Sequence, residues 1–456
     1  MEKGRFSDFF AREDVMVVLT SSPAGLGHVR VTEALRGGLE EGVRVEVLGL
    51  EDQSAQGLHR AASRNVILRA VMEFVQNNPL VEESFSELYR ERLRRKGKEA
   101  YHRLVELVKR RRPKPKVLLI VSTHFGLGYQ IAAIKNRLAE EFKLCVVLAV
   151  VVTDDSPQKV WGVVGADFLF VPSLTTKESL ERYMMRITRI VPEVFVVPYP
   201  VSADFCQPLT NKAFADRKLQ VNPRFKEPMK IMIPISGAAV QLNYIEEMIT
   251  TLEKERIADI TVVSRESDYT KRFLSWCGER KSVRVVAEIQ DRDVVAGYEK
   301  EYANSVFGVE ITKPSEQAFK ALITPKQRGG VILLFSNPVG RQENDNLAFL
   351  VRHDLLPSPA DREVLGRYLS TGERRLIDAA FLERAQHWRG LLLPSSGRDA
   401  GRAILKLRQC GVLSAMLDFS GYMDHPELRS DGVRRIWRKL AQRVGEKCRV
   451  RIVKSV

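Results

Sequence analysis

Residues 144–152 read LCVVLAVVV, nine apolar residues in succession, closed by Lys143 on one side and by Thr153 and Asp154 on the other. A membrane-crossing helix needs roughly 20 such residues. The wealth of valine favours a strand, and the lack of polar alternation means that neither face of that strand meets water. A strand hidden on both faces belongs to a parallel sheet covered by crossover helices, which commits the chain to an α/β fold.

The same grammar recurs along the chain. VMVVLT at 15–20 leads into a glycine loop and then VTEALRGGL at helical spacing. KVLLIVST at 116–123 leads through FGLG into the helical YQIAAIKNRLAEEF. VRVEVLGL at 43–50, DFLFVPS at 167–173 and EVFVVPYP at 193–200 complete a first set of strands. A second set begins with MKIMIPIS at 229–236 and continues through DITVVS, VRVVAE and GGVILLFS. A polar, proline-bearing stretch separates the two sets. The reading is therefore an N-terminal Rossmann-like domain at 1–206, a linker at 207–228, a second Rossmann-like domain at 229–356 and a helical extension at 357–456. A helical insertion at 58–115 is longer than a crossover requires and is expected to carry a docking surface.

The net charge of +15 is concentrated. Residues 88–116 hold 13 Lys and Arg against 3 Glu, and residues 434–456 hold 9 against 1. The remainder of the chain is slightly acidic, so the chain is expected to meet a polyanion through two patches. Only Tyr89 and Tyr101 interleave the first patch, so nucleic acid is not the expected partner. The helix around Trp437, with Ile436 and Leu440 among arginines, reads as a basic amphipathic helix with an interfacial anchor. MEKGRFSDFF lacks the apolar stretch of a signal peptide. Cys145, Cys206, Cys277, Cys410 and Cys448 show neither CxxC nor metal-ligand spacing. A reduced cytoplasmic setting and no bound metal are expected.

Chemistry is expected where strands end. The loop at 21–28, SSPAGLGH, offers Gly25 and Gly27 for close backbone approach and places His28 at a helix start. A positive helix end favours a neutral imidazole, the form a general base needs. No third glycine completes a dinucleotide fingerprint, and no P-loop is present. His124 follows its strand in the same way, and Asp154 follows the buried one.

GLGHVRVTEAL resembles the Gly-Gly-His-x-x-x-x-x-Ala-Leu loop of the monogalactosyldiacylglycerol synthase group of glycosyltransferases. That group is related to the processive diglucosyldiacylglycerol synthases and the peptidoglycan N-acetylglucosaminyltransferases. Thr153, Asp154, Trp161 and Asp167 keep the spacing of a second family motif, with Gln158 where its histidine stands. PYPVSADF and ISGAAVQ resemble the segments that close the first domain and open the second. ITKPSEQAFKALI followed by PVGRQENDNLAFL is similar to the donor-binding stretch.

The resemblance implies a GT-B fold, two Rossmann-like domains whose parallel sheets face a cleft, and a metal-independent hexosyltransferase. A nucleotide-sugar, usually linked to uridine diphosphate, would be co-substrate rather than cofactor, and a lipid or membrane-associated molecule the acceptor. Peripheral attachment to the inner face of the membrane through 88–116 and 434–456 would follow. Ser236 and Gly237 would line the phosphates. Lys313, Pro314, Ser315 and Glu316 would shape the nucleotide pocket, and Gln342, Glu343 and Asn346 the sugar pocket. His28 and Asp154 would be catalytic, beside an acceptor loop of Gly25, Gly27, His124 and Gln158.

The departures are Ser315 and Glu316 in place of paired glycines, a loop from Lys313 to Leu322 shortened by one residue, and Lys320 where a ribose-binding glutamate stands. Either Glu316 has taken over the ribose contact, or the nucleotide pocket has changed or lost its ligand. Glu316 also reads as a first-turn carboxylate favoured by a helix dipole. Two other functions stay open: a non-catalytic protein of this fold binding a ligand or a membrane, and a nucleotide-sugar epimerase.

Overall fold

The computed structural model describes residues 5–22, 25–40, 42–49, 79–225, 227–237, 239–338, 340–421 and 424–454. Residues 58–78 of the basic insertion and the extreme N-terminus lie outside them. The chain forms two compact units, 1–203 with 430–456, and 204–429.

The first unit begins with α1 (Arg5–Ala11), β1 (Val15–Ser21), α2 (Leu26–Gly37) and β2 (Val45–Gly49). It continues through α3 (Pro79–Arg95), α4 (Gly97–Arg110), β3 (Val117–Ser122), α5 (Phe125–Phe142), β4 (Cys145–Val151), β5 (Phe168–Val171), α6 (Leu174–Ile187) and β6 (Glu193–Val196). Its sheet is parallel, in the order β2-β1-β3-β4-β5-β6. Every residue of β4 is buried, as its unbroken apolar run requires. The strand order turns back between β1 and β3, with Val15–Thr20 paired to Val117–Ser122. In open α/β sheets the crevice for a ligand opens beyond the carboxyl ends of the strands at such a reversal.

The second unit holds α7 (Asn211–Val221), β7 (Met229–Pro234), α8 (Leu242–Lys254), β8 (Ala258–Arg265), α9 (Lys271–Gly278), β9 (Val283–Glu288) and α10 (Asp291–Asn304). Then come β10 (Val309–Thr312), β11 (Val331–Leu334), α11 (Arg341–Arg352), α12 (Pro359–Thr371), α13 (Ala379–Ala385), β12 (Gly390–Leu392), α14 (Gly397–Gln409) and α15 (Val412–Leu417). The sheet order is β12-β11-β10-β7-β8-β9, again parallel, with its reversal between β7 and β10. Two Rossmann-like units in one chain are the plan of the GT-B fold.

The division differs from the sequence reading in two places. The expected linker at 207–228 carries α7 and belongs to the second unit. Arg217 on α7 is 1% exposed and donates to the carbonyls of Phe307, Pro325, Gln327, Arg328 and Gly329. Burial draws its guanidinium down to about 10, and that of Arg389, which serves the Ile323 and Gly330 carbonyls, to about 9. Backbone acceptors supplied by a distant loop leave no trace in the local sequence. The expected extension at 357–456 is split: residues 357–429 complete the second unit and contribute β12, while a terminal helix, Gly432–Lys454, returns to the first.

The terminal helix is not the interfacial anchor that its sequence suggests. Ile436, Trp437, Leu440 and Val444 are fully buried. The Trp437 indole donates to the Leu35 carbonyl at 2.8 Å and meets Phe10 of α1 edge-on. Burying each such side chain contributes about 1.5–3 kcal/mol, so the apolar stripe is committed to packing. Gly432 starts the helix where any Cβ would collide with the Pro198 carbonyl. Further along, Lys447 pairs with Asp167 at 2.6 Å, Arg443 pairs with Glu193, and Cys448 forms a disulfide with Cys145 of β4. Scattered spacing concealed that pair, whose members are 303 residues apart, and a disulfide runs against the reduced setting that the spacing suggested.

Candidate functional site

In the first unit the site forms at the β1/β3 reversal. β1 delivers the loop that ends in Gly25, and α2 starts with no side-chain cap. Among the described residues no side chain caps its first-turn amides. His28, on that first turn, holds its Nδ1 2.7 Å from the Thr123 carbonyl and 3.2 Å from Thr153 Oγ1. A carbonyl can only accept, so Nδ1 carries the proton. In a neutral ring Nε2 would then be the basic nitrogen. Thr32 Oγ1 and Thr123 Oγ1, 2.7 Å apart, brace the same corner.

His124 lies against His28, ring to ring at 4.9 Å and nearly perpendicular, and Phe125 stacks on it. It is 1% exposed, and its Nδ1 accepts the Leu127 amide as the cap of α5. His124 is thus a wall and a cap beside His28. Trp161 stands 6.0 Å from the His28 ring, on a short 3-10 turn for which buried Gln158 is the cap. Asp154 is half-buried next to Thr153. Its neighbour Asp155 is 3% exposed and accepts from Ser173 Oγ and Thr176 Oγ1 at the start of α6. Asp167, the last residue of the motif, is elsewhere. It lies just before β5, at the amino end of the sheet, bound to Lys135, Lys447 and the Leu148 amide.

In the second unit the corresponding reversal gathers the loops after β7, β10 and β11. Ser236 Oγ, Gln241 Oε1 and Ser336 Oγ are buried without a hydrogen-bond partner among the described residues. Gln241 Nε2 donates to the Asn337 carbonyl at 2.9 Å, which ties the loop after β7 to that after β11. Tyr269 donates to the Gly237 carbonyl at 3.4 Å. α8 and α11 both begin without a side-chain cap, the latter after Gly340 in a positive-φ conformation. α9, α10 and α15 are likewise uncapped, whereas α7, α12, α13 and α14 are capped by Ser, Thr or Asp. Buried hydroxyls and uncapped amides at one sheet end form a donor-rich surface suited to an anion.

Lys313 follows β10 and pairs with the buried Glu343 of α11. Asn346 Nδ2 reaches the Pro314 carbonyl at 3.4 Å. Lys313, Pro314, Glu343 and Asn346 thus meet in one place, with Gln342 half-buried on the first turn of α11. A 3-10 helix, Glu316–Leu322, begins after Ser315, whose side chain makes no capping bond, with Glu316 half-buried on its first turn. Lys320 points away from this group. Its ammonium is 2.5 Å from Glu310 Oε1 and 4.0 Å above the Tyr298 ring. Tyr298 and Tyr302 donate to the other Glu310 oxygen. Burial, and then the Glu310 charge, push the Tyr302 hydroxyl well above its ordinary pKa. Lys320 is therefore committed to a core ion pair. Sequence reasoning missed Gln241 and Ser336. Ser336 closes the strand GGVILLFS as Ser236 closes MKIMIPIS, and that repeated terminal serine was the available signal.

No protein-family model and no curated protein matches the sequence. Solved structures do align with it over most of its length. S. aureus MnaA with UDP covers 94% of this chain and 96% of its own at 10% identity and a TM-score of 0.47. A Methanocaldococcus jannaschii UDP-GlcNAc 2-epimerase with UDP-GlcNAc and UDP covers 94% and 99% at 12% identity, TM-score 0.43. Arabidopsis thaliana UGT89C1 with UDP-L-rhamnose covers 95% and 99% at 12% identity, TM-score 0.40.

Proposed function

We propose that the chain is a glycosyltransferase that moves a hexosyl group from a nucleotide-sugar, UDP-linked by the family resemblance, to a lipid or membrane-associated acceptor. The observation that carries this reading is the position of His28, held at the carboxyl end of the first sheet with Nδ1 against the Thr123 carbonyl, an orientation in which Nε2 would act as the base. Glycosyl transfer needs that base for the acceptor hydroxyl and donor groups for the departing diphosphate. Ser236, Ser336, Gly237 and the uncapped amides of α8 and α11 would serve the diphosphate. Lys313 to Glu316 would shape the nucleotide pocket, and Gln342, Glu343 and Asn346 the sugar pocket. Asp154, Gln158 and His124 would border the acceptor, with Gly25 and Gly27 giving it room. No step in this scheme requires a metal.

Membrane attachment would come from charge. α3 and α4 present exposed Arg92, Arg94, Arg95 and Arg103, with Leu88 75% exposed beside them. Each Lys or Arg near an anionic surface contributes about 1 kcal/mol. The basic face of the terminal helix would add charge without an apolar anchor. Such attachment would hold the protein against an anionic membrane face. No helix among the described residues is long and apolar enough to cross a membrane. The Lys313–Glu343 ion pair favours a second reading, a non-catalytic protein whose nucleotide pocket has closed on itself.

A thermal-shift panel of uridine, guanosine, adenosine and thymidine diphosphates and their sugar conjugates separates the two. Catalysis predicts stabilisation by one nucleotide, larger with its sugar, and lost in Ser236→Ala and Gln342→Ala. His28→Ala should keep that shift and lose about 100-fold or more in turnover. Absence of any nucleotide shift removes the transferase reading.

A further inference from the structure

A second cluster of ionisable groups lies away from both sheet reversals. α11 ends at Arg352, and His353 is its C-terminal cap. The turn that follows α15 brings His425 and Glu427 against it. The His353 and His425 rings are 4.7 Å apart, and His353 Nε2 lies 2.9 Å from Glu427 Oε2. One donor atom from each of the three residues falls within 4.8 Å of the others. The side chains of His353 and Glu427 are 10% and 9% exposed, and His425 is half-buried. Phe349 covers the His353 ring on the inner side at 4.6 Å.

We infer that His353, His425 and Glu427 form a binding site for a divalent transition-metal ion, with Zn²⁺ the occupant that suits them. Two imidazoles and one carboxylate are a borderline-soft donor set, which selects zinc over magnesium or calcium. With metal–ligand distances of about 2.0–2.2 Å, tetrahedral geometry sets neighbouring donors roughly 3.4 Å apart. The His353–Glu427 edge, at 2.9 Å, is about half an ångström shorter than that, and the other donor separations lie within 4.8 Å, so small side-chain shifts would close the site. The proton shared on that edge is what the ion displaces, and the long 3.3 Å contact from the Glu427 amide to His425 Nδ1 is given up with it. Water would supply the fourth ligand. Burial favours the exchange, because a buried carboxylate is better compensated by a dipositive ion than by one imidazole.

The ion would fasten the turn at 424–428 to the end of α11 just before the chain leaves the second unit at Arg429. It is a structural clamp, independent of the glycosyl-transfer reading. The ligands are separated by about 70 residues in sequence, which is why cysteine and histidine spacing gave no metal signal.

The test uses the untagged full chain, stripped with EDTA and titrated with Zn²⁺ against a chromophoric chelator. One equivalent should bind at micromolar concentration and raise the melting temperature. His425→Gln and Glu427→Gln should each weaken binding by about 100-fold or more. Unchanged stoichiometry and affinity in both variants, or no uptake by the native chain, overturns the site. A readout on the native chain covers the case in which the variants do not fold. Zn²⁺ should protect His425, and not the exposed His102, from diethylpyrocarbonate, as followed by peptide mass spectrometry. Equal modification of His425 with and without Zn²⁺ also overturns it.

Discussion

Lys320→Glu restores the residue that the glycosyltransferase resemblance expects at this position, and the structure predicts that it harms the protein. Lys320 is 7% exposed and Glu310 is 1% exposed, with the ammonium 2.5 Å from the carboxylate. The substitution replaces an ion pair by two carboxylates in a buried site, where one of them must take up a proton. Removing one partner of a buried pair costs about 3–5 kcal/mol. For a unit of roughly 200 residues each kcal/mol moves the melting temperature by about 2–4 °C. The second unit should therefore melt on the order of 10 °C lower. Lys320→Met, which keeps the aliphatic stem over Tyr298, should lose less, and adding Glu310→Gln to it should recover part of the loss. Differential scanning calorimetry reads all three variants. A Lys320→Glu protein with the native melting temperature and a new nucleotide-induced stabilisation would refute the reasoning and return Lys320 to the nucleotide pocket.

Asp167 provides a pH dependence. Burial opposes its charge, but Lys135, Lys447 and the Leu148 amide outweigh that and hold its pKa below the ordinary 3.8. A depressed carboxylate stabilises the fold above its unfolded pKa and loses that contribution as pH falls through the lower folded value. The urea midpoint of the first unit should fall below about pH 4, and Asp167→Asn should flatten that limb; parallel curves for the two proteins would exclude the role. The Cys145–Cys448 disulfide closes a loop of 303 residues. Dithiothreitol or Cys448→Ser should lower the first unit's stability by up to about 5 kcal/mol in the chain-entropy picture, and calorimetry with unchanged transitions would show that the bond does not constrain it.

Much of the fold was legible because buried parallel strands advertise themselves. LCVVLAVVV, KVLLIVST and MKIMIPIS became β4, β3 and β7, and the loops behind them became the sheet reversals. The gathering of Lys313, Pro314, Glu343 and Asn346 also follows from loop order, since β10 and α11 flank β11. What failed was everything decided by long-range partners. Arg217 looked like a linker residue because its five carbonyl acceptors are contributed from about 90 residues away and beyond. Trp437 looked like a membrane anchor because a helix periodicity states that one face is apolar without naming what covers it. Lys320 looked like a lost ribose ligand because the charge that holds it, Glu310, lies on a strand whose other residues read as plain core.

The return of the terminal helix sets an order of events during synthesis. The first unit emerges from the ribosome early, yet the groove between Phe10 and Leu35 that receives Trp437 stays open until the whole second unit has been made and residues 430–456 follow it. The second unit lies wholly within 204–429 and has all its strands before that moment. The half of the protein made first is thus the half that finishes last. For that interval its exposed apolar groove is a substrate for chaperones, and a message truncated shortly before codon 430 would yield one complete unit tethered to one that never closes.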